Sequence, residues 1–313
     1  MTVAANLRSC TVSEAKEAFA MKRISGLLTG MCVTIAGLAG GLSVGFAQTT
    51  SDGDTSPPKV LVIQREMLKP GRAGNTHVKT ESAFVQAMTA AKWPTHYFGM
   101  ESMSGVSRAL FFSGYASFGD WEKDNLAMSK NATLTAAMDH ASFVDGEQLD
   151  QFSSSVWLYQ EESSLRANEV DVAKMRYFEL TQFKVRPGHE KDWADLVKLY
   201  KGAFEKAVPD EHWAVFQSYY GNDNGGLYLV IIPMQSLAEV DASLANSKKF
   251  VSALGGEGMK KVGELSAAAI ESTQTNLFAF NPKMSYPSER WIQVDPGFWK
   301  PKPAGAMKKT ATP

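Results

Sequence analysis

The sequence predicts an α+β protein made of two tandem ferredoxin-like βαββαβ repeats. Three observations carry that reading. An alternating apolar run ending in a basic residue, Pro and Gly occurs twice, as VLVIQREMLKPGRA at 60–73 and YFELTQFKVRPGHE at 177–190. The landmarks that follow keep one spacing: His96 and His212 each precede an aromatic residue, and LAMSK at 126–130 answers LANSK at 244–248. Each Pro-Gly is also followed by a helical pattern and then by two strand-like runs, the order of a split βαβ unit.

The first strands, 60–66 and 177–183, are set by β-branched and aromatic content and end at Pro70-Gly71 and Pro187-Gly188. The helix after the second Pro-Gly is the clearest. Trp193, Leu196, Val197, Tyr200, Phe204 and Val208 recur at three- and four-residue steps and form one apolar face. Its counterpart spans about 73–92, with Val78, Phe84, Val85 and Met88 inward, and Pro94 and Pro209 close the two helices. Strands follow at 97–103 and 109–115, and again at 213–219 and 227–233; GNDNGG at 221–226 tolerates positive φ and suits a hairpin. Helix begins again at Ser236, with Glu239 as a capping-box partner, and Ser117 with Asp120 echoes it. More helix is expected over 134–150 and 251–271, and last strands over 155–160 and 276–281.

Organisation follows. Residues 58–165 and 175–287 form the two repeats, and 288–313 form an extended tail laid on the surface, basic and Ala/Thr-rich at its end. Residues 48–57 are a linker. Residues 21–47 read as a secretory signal peptide: Lys22 and Arg23 are followed by an uncharged, mostly apolar run from Ile24 to Val44, and small Gly45 and Ala47 precede the expected cut. The apolar run approaches the roughly 20 residues that span a bilayer, so a retained anchor is the rival reading. Residues 1–20 stand upstream of a second start at Met21. The expected location is extracytoplasmic, periplasmic or secreted.

Composition excludes several classes. The 313 residues carry a net charge of -1, so neither nucleic acid nor an acidic membrane surface is an expected partner. The two cysteines, Cys10 and Cys32, both precede the expected mature start. Disulfides, thiolate metal sites and cysteine nucleophiles are therefore not expected in the folded part. No phosphate loop, nucleophile elbow or metalloprotease helix is present.

The strand–xRPGxExxW–amphipathic helix–hairpin pattern at 177–233, ending in NPKMSYP at 281–287, resembles the dimeric α/β-barrel superfamily. That group includes antibiotic-biosynthesis-monooxygenase-like and NIPSNAP-like domains, and the resemblance extends to exported bacterial proteins carrying two such domains in tandem. It covers about 58–287. It implies that the two repeats close one barrel within the chain, around a lumen. Its members include cofactor-free oxygenases, haem proteins and small-molecule binders, so fold alone selects no activity.

Strand alternation then nominates site residues. Leu61 and Ile63, aligned with Phe178 and Leu180, are expected to face the helices. The lumen would receive Val60, Val62 and Gln64 beside Tyr177, Glu179 and Thr181, with Glu101 and Gln217 from the second strands. His96 and His212, the repeated histidines, read either as a base, metal or haem ligand in each half, or as groups bonding backbone at the helix-to-strand turn. His77 and Glu81, four apart on a helix, could ligate a metal on one face; a solvated polar face is the simpler reading. No metal and no cofactor are expected.

The functional expectation is an exported protein binding a small apolar molecule in a barrel lumen. Tyr177, Glu179, His212, Trp213, Gln217, His96 and Glu101 are the ligand-binding candidates. One alternative is a cofactor-free oxygenase acting on an aromatic substrate; a second is a haem protein with His96 or His212 as axial ligand. A monomer or homodimer is expected.

Overall fold

The structure is a computed structural model in which residues 56–222 and 225–300 are described. The signal-like segment 21–47, residues 1–20, both cysteines, most of the linker, residues 223–224 and the chain after 300 lie outside the described residues.

The first repeat runs β1 (Val60–Leu68), α1 (Asn75–Ala91), β2 (Tyr97–Ser102), β3 (Arg108–Tyr115), α2 (Phe118–Lys130), α3 (Ala132–Gly146) and β4 (Leu149–Tyr159). The second runs β5 (Tyr177–Val185), α4 (Glu190–Ala207), β6 (Ala214–Tyr220), β7 (Leu227–Met234), α5 (Ala238–Ala269) and β8 (Ile270–Phe280). Two short helices follow, α6 (Glu289–Val294) and α7 (Pro296–Trp299). The extra helix expected in each repeat is real. In the first, Asn131 separates α2 from α3 and its side chain caps Leu134 N; in the second, Gly255 breaks α5 with φ of 65°.

The strands close into one barrel in the order β1-β3-β2-β8-β5-β7-β6-β4. Cut at its two seams, this is β4-β1-β3-β2 joined to β8-β5-β7-β6, so both repeats use the same order. That is a duplicated ferredoxin-like unit closed on itself, the architecture of the dimeric α/β barrel within one chain. All pairings are antiparallel. The seams are β2 on β8, with Met100 opposite Phe280, and β4 on β6, with Trp157 opposite Ser218. Closure leaves no free sheet edge.

The facing of the strands is the reverse of the sequence expectation. Leu61, Ile63, Phe178 and Leu180 point into the lumen, where they meet Phe112, Phe216, Phe280 and other side chains from all eight strands. Val60 and Val62 face outward against Tyr115 and Trp121, and Tyr177 packs outward on the cluster formed by α4 and α5. By alternation Glu179, Thr181, Glu101 and Gln217 are outward too. The physical reason is simple. Alternation separates two faces but does not say which is enclosed, and a narrow barrel fills its interior with side chains.

The tail also departs from expectation. Its described part, 288–300, is mostly helical, with Trp299 buried and Trp291 half-buried, and it caps one barrel end. Trp291 stacks on Phe98 at 5.3 Å, and Trp299 meets Phe280 at 5.7 Å while donating its indole N–H to Ala173 O. Aromatic pairs of this kind contribute about 0.5–1.5 kcal/mol each beyond their buried area. Among the described residues, no helix is long and apolar enough to cross a membrane.

Candidate metal centre

The sequence makes β1 an alternating strand, and its outward face reads Val60, Val62, Gln64, Glu66. The last of these is a carboxylate aimed at the helix layer. Helix α1 begins after Gly74 and brings His77 in its first turn and Glu81 one turn later onto the same face. Helix α3 adds Asp145 from its last turn. The four side chains converge between strand and helices. His77 is 0% exposed, Asp145 2%, Glu81 3% and Glu66 6%. His77 and Glu81 were expected on a solvated face; α3, closing over α1, removes them from solvent.

His77 Nε2 lies 2.9 Å from Glu66 Oε2, 3.6 Å from Asp145 Oδ1 and 3.7 Å from Glu81 Oε1. One potential ligand atom from each residue falls within 4.8 Å of the others. Thr80 Oγ1 hydrogen-bonds both the His77 carbonyl, at 2.8 Å, and Asp145 Oδ1, tying α3 to α1. Glu81 Oε1 is enclosed and accepts no hydrogen bond. His77 Nδ1 is likewise enclosed without a partner, so nothing beyond the ring fixes its tautomer. The Tyr97 hydroxyl is a further enclosed group with no partner.

Three carboxylates in so small a dry volume repel one another. Burial, then the charges of Glu66 and Asp145, and a hydrogen bond to Asp145, push the Glu81 carboxyl up to about 10. Burial also raises Glu66, opposed by its hydrogen bond to His77. The Tyr97 phenol is raised as well, by burial first and then by the Glu81 and Glu66 carboxylates. A buried charge cluster of this sign requires protons or a cation. Bonds of about 2.0–2.2 Å from one ion place neighbouring ligand atoms about 3–3.5 Å apart. The measured separations from His77 fall close to that range. The donors are one imidazole nitrogen and carboxylate oxygens, a set suited to a divalent first-row transition ion.

The repeats supply an internal control. Phe183 stands four residues before Pro187, as Glu66 stands four before Pro70. Trp193 is the first buried residue of α4, as His77 is of α1. Phe183 and Trp193 pack ring on ring at 5.0 Å and line a small apolar cavity of about 30 Å³ with Leu196 and Tyr200. The fold therefore accepts an apolar filling at this place, and the polar cluster of the first repeat is not required by architecture. In the sequence, the signal that marks the site is the polar pair Glu66 and His77 where the second repeat has Phe183 and Trp193.

The residues nominated from sequence are not brought together in the lumen. His212 directs Nε2 at Pro233 O, 2.8 Å, and Nδ1 at Asp210 O, 2.9 Å, so both ring nitrogens are engaged by backbone. That leaves neither free for an axial haem bond. Trp213 donates to Ser163 O and packs on Phe204 outside the barrel. His96 lies over the Tyr286 ring at 4.8 Å. Glu101 accepts from Asn281 Nδ2 at 2.7 Å. Tyr177, Glu179 and Gln217 are on the outer face, as described above. Glu179 lies near the buried Glu211, whose carboxyl is pushed up to about 7, mainly by burial and partly by Glu179, with His212 and Arg166 opposing.

No family model and no curated protein matches the chain. Solved structures do resemble it. An anthrone oxidase-like protein is 13% identical, with 75% of this chain and 96% of that chain covered, at a TM-score of 0.46. A protein of Fusobacterium nucleatum described as a candidate monooxygenase is 10% identical over 72% and 93%, with a TM-score of 0.46. A mutant chlorite dismutase of Candidatus Nitrospira defluvii is 9% identical over 73% and 94%, with a TM-score of 0.43. At such identities the likeness concerns fold and carries nothing about chemistry.

Proposed function

We propose that this protein binds one divalent first-row transition ion, of the Mn²⁺, Fe²⁺ or Zn²⁺ class, through Glu66, His77, Glu81 and Asp145. The observation that carries the reading is the burial of all four groups around the unpartnered Glu81 Oε1, at separations close to those of a coordination sphere. Four protein donors with little solvent access favour a closed, structural ion that pins β1, α1 and α3 together; a catalytic ion keeps an open position. The rival is a metal-free cluster that shares protons.

The full chain, stripped with chelator and titrated with Zn²⁺ and Mn²⁺ by calorimetry, tests this. One ion per chain, with a raised melting temperature, supports the site. Binding that is absent, or unchanged in His77→Ala, sinks it.

An apolar ligand held in the lumen, or an aromatic substrate there, has less support, because Phe98, Phe178 and Phe280 occupy the capped half in mutual ring contact. Export is proposed on the segment Met21–Ala47, and N-terminal sequencing of the mature protein checks it: Gln48 as first residue is the expected result.

A further inference from the structure

The lumen has two unlike halves. Toward the capped end its walls are aromatic. Toward the other mouth the inward positions become polar and basic. Arg65 on β1 is register-paired with Leu110, and Arg108 on β3 with Met67, so the two guanidiniums rise from the lumen face of neighbouring strands, diagonal to one another. Ser153 stands across from Arg65 on β4, and Asn276 lies on the same inward face of β8. Among the described strands, no Asp or Glu is register-paired at an inward position. The third inward cation, Lys184, is matched at the rim by Glu271 at 2.8 Å.

Arg65 and Arg108 have no such match. Neither guanidinium has a hydrogen bond or ion pair among the described residues, and Arg108 lies over the Phe278 ring at 5.1 Å. Burial disfavours both charges, and Arg65 adds repulsion at Arg108. Two like charges on one face of neighbouring strands repel, the more so where low-dielectric protein surrounds them. A mouth walled by low-dielectric protein and carrying one sign of charge concentrates counter-ions. Guanidinium forks match the paired oxygens of an oxyanion.

We propose that this polar mouth of the barrel binds a small oxyanion, carboxylate or phosphate, between Arg65 and Arg108. The site is separate from the metal cluster, which lies outside the barrel wall, and it stands if that cluster fails. The buried Phe278 ring under Arg108 backs its guanidinium on one face.

The test is calorimetric titration of the full chain with sodium benzoate and with sodium phosphate, at ionic strength fixed by NaCl. Saturable binding of at least one probe is expected, weakened tenfold or more in Arg65→Gln and in Arg108→Gln and largely kept in Arg65→Lys. Tighter benzoate assigns an aromatic carboxylate; tighter phosphate assigns a phosphate group. Thermal melts give a second readout. Arg65→Gln should raise the melting temperature without anion, by relieving repulsion, and should abolish the rise that the bound probe gives wild type. Absence of saturable binding by both probes overturns the proposal, as does binding that persists undiminished in the two Gln variants.

Discussion

Glu66 and Phe183 hold the same place in the two repeats, each four residues ahead of a Pro-Gly and each directed outward from its strand into the helix layer. One meets His77 at 2.9 Å; the other meets the Trp193 ring at 5.0 Å. A single scaffold thus carries a charged filling in one half and an apolar filling in the other. Buried polar clusters are expensive relative to apolar packing, often by 1–4 kcal/mol. Retaining one where the fold accepts the cheaper solution points to a use for it.

The first prediction separates binding from stability. In the metal-free protein at pH 7, Glu81 holds its proton, being pushed up to about 10. Glutamine imitates that neutral form, so Glu81→Gln should leave metal-free stability within about 1 kcal/mol. It should nevertheless lower ion affinity on the order of 100-fold, because an amide is a poor substitute for a carboxylate ligand. His77→Ala should lose binding and also cost about 2–4 kcal/mol, since it opens a void and strips Glu66 of its donor. Urea melts and calorimetry on both variants decide this. Calorimetry in buffers of different ionisation enthalpy should also show about one proton released as the ion displaces it from Glu81.

The second prediction concerns pH. Glu211 has its folded pKa raised from 4.5 to about 7, chiefly by burial. Below pH 4.5 both folded and unfolded chains keep the proton, and Glu211 imposes no penalty. As pH rises from 4.5 to 7 the unfolded chain ionises first, so this group costs stability progressively. Above pH 7 the cost is constant, about 3 kcal/mol at most. Glu211→Gln should therefore be more stable than wild type at pH 8 and equal to it near pH 4.5. Urea denaturation at the two pH values measures the difference; equal gaps at both would show that Glu211 ionises in the folded protein as it does in water.

Much of the fold was legible because it is written in local signals. Pro70-Gly71 and Pro187-Gly188 stop strands, the stripe of Trp193, Leu196 and Tyr200 makes a helix, and repetition of these signals reveals duplication. The facing of Leu61 and Phe178 was not legible. Period-two alternation is symmetric between a lumen and a helix-covered face when both are apolar, and here both are. The tail was misread for a related reason. Prolines near Trp291 and Trp299 suggest extended chain, yet Pro296 sits at the first turn of α7, where its missing N–H costs nothing. The metal cluster was half legible. His77 and Glu81 show helical ligand spacing, but their burial depends on α3, whose Asp145 lies 64 residues beyond Glu81 and carries no local sign of the partnership.

The last prediction tests barrel closure at the seam between β4 and β6. Gly221 follows Tyr220, which pairs with Val156 across that seam. Its φ is +78°, and a Cβ there would sit 2.2 Å from Ser154 O and 2.9 Å from Ser155 Cα. Backbone atoms on both sides of the contact cannot swing aside as a side chain would. Gly71 has nearly the same φ, +77°, with nothing within 4 Å of its Cβ position. Gly71→Ala should therefore cost only the conformational term, about 1 kcal/mol. Gly221→Ala adds displacement of the neighbouring strand and should cost about 3–4 kcal/mol or more. Urea unfolding of the two variants isolates the seam contribution as their difference. Equal losses would mean that β4 yields freely at Ser154, and that the seam contributes little to holding the two repeats in one barrel.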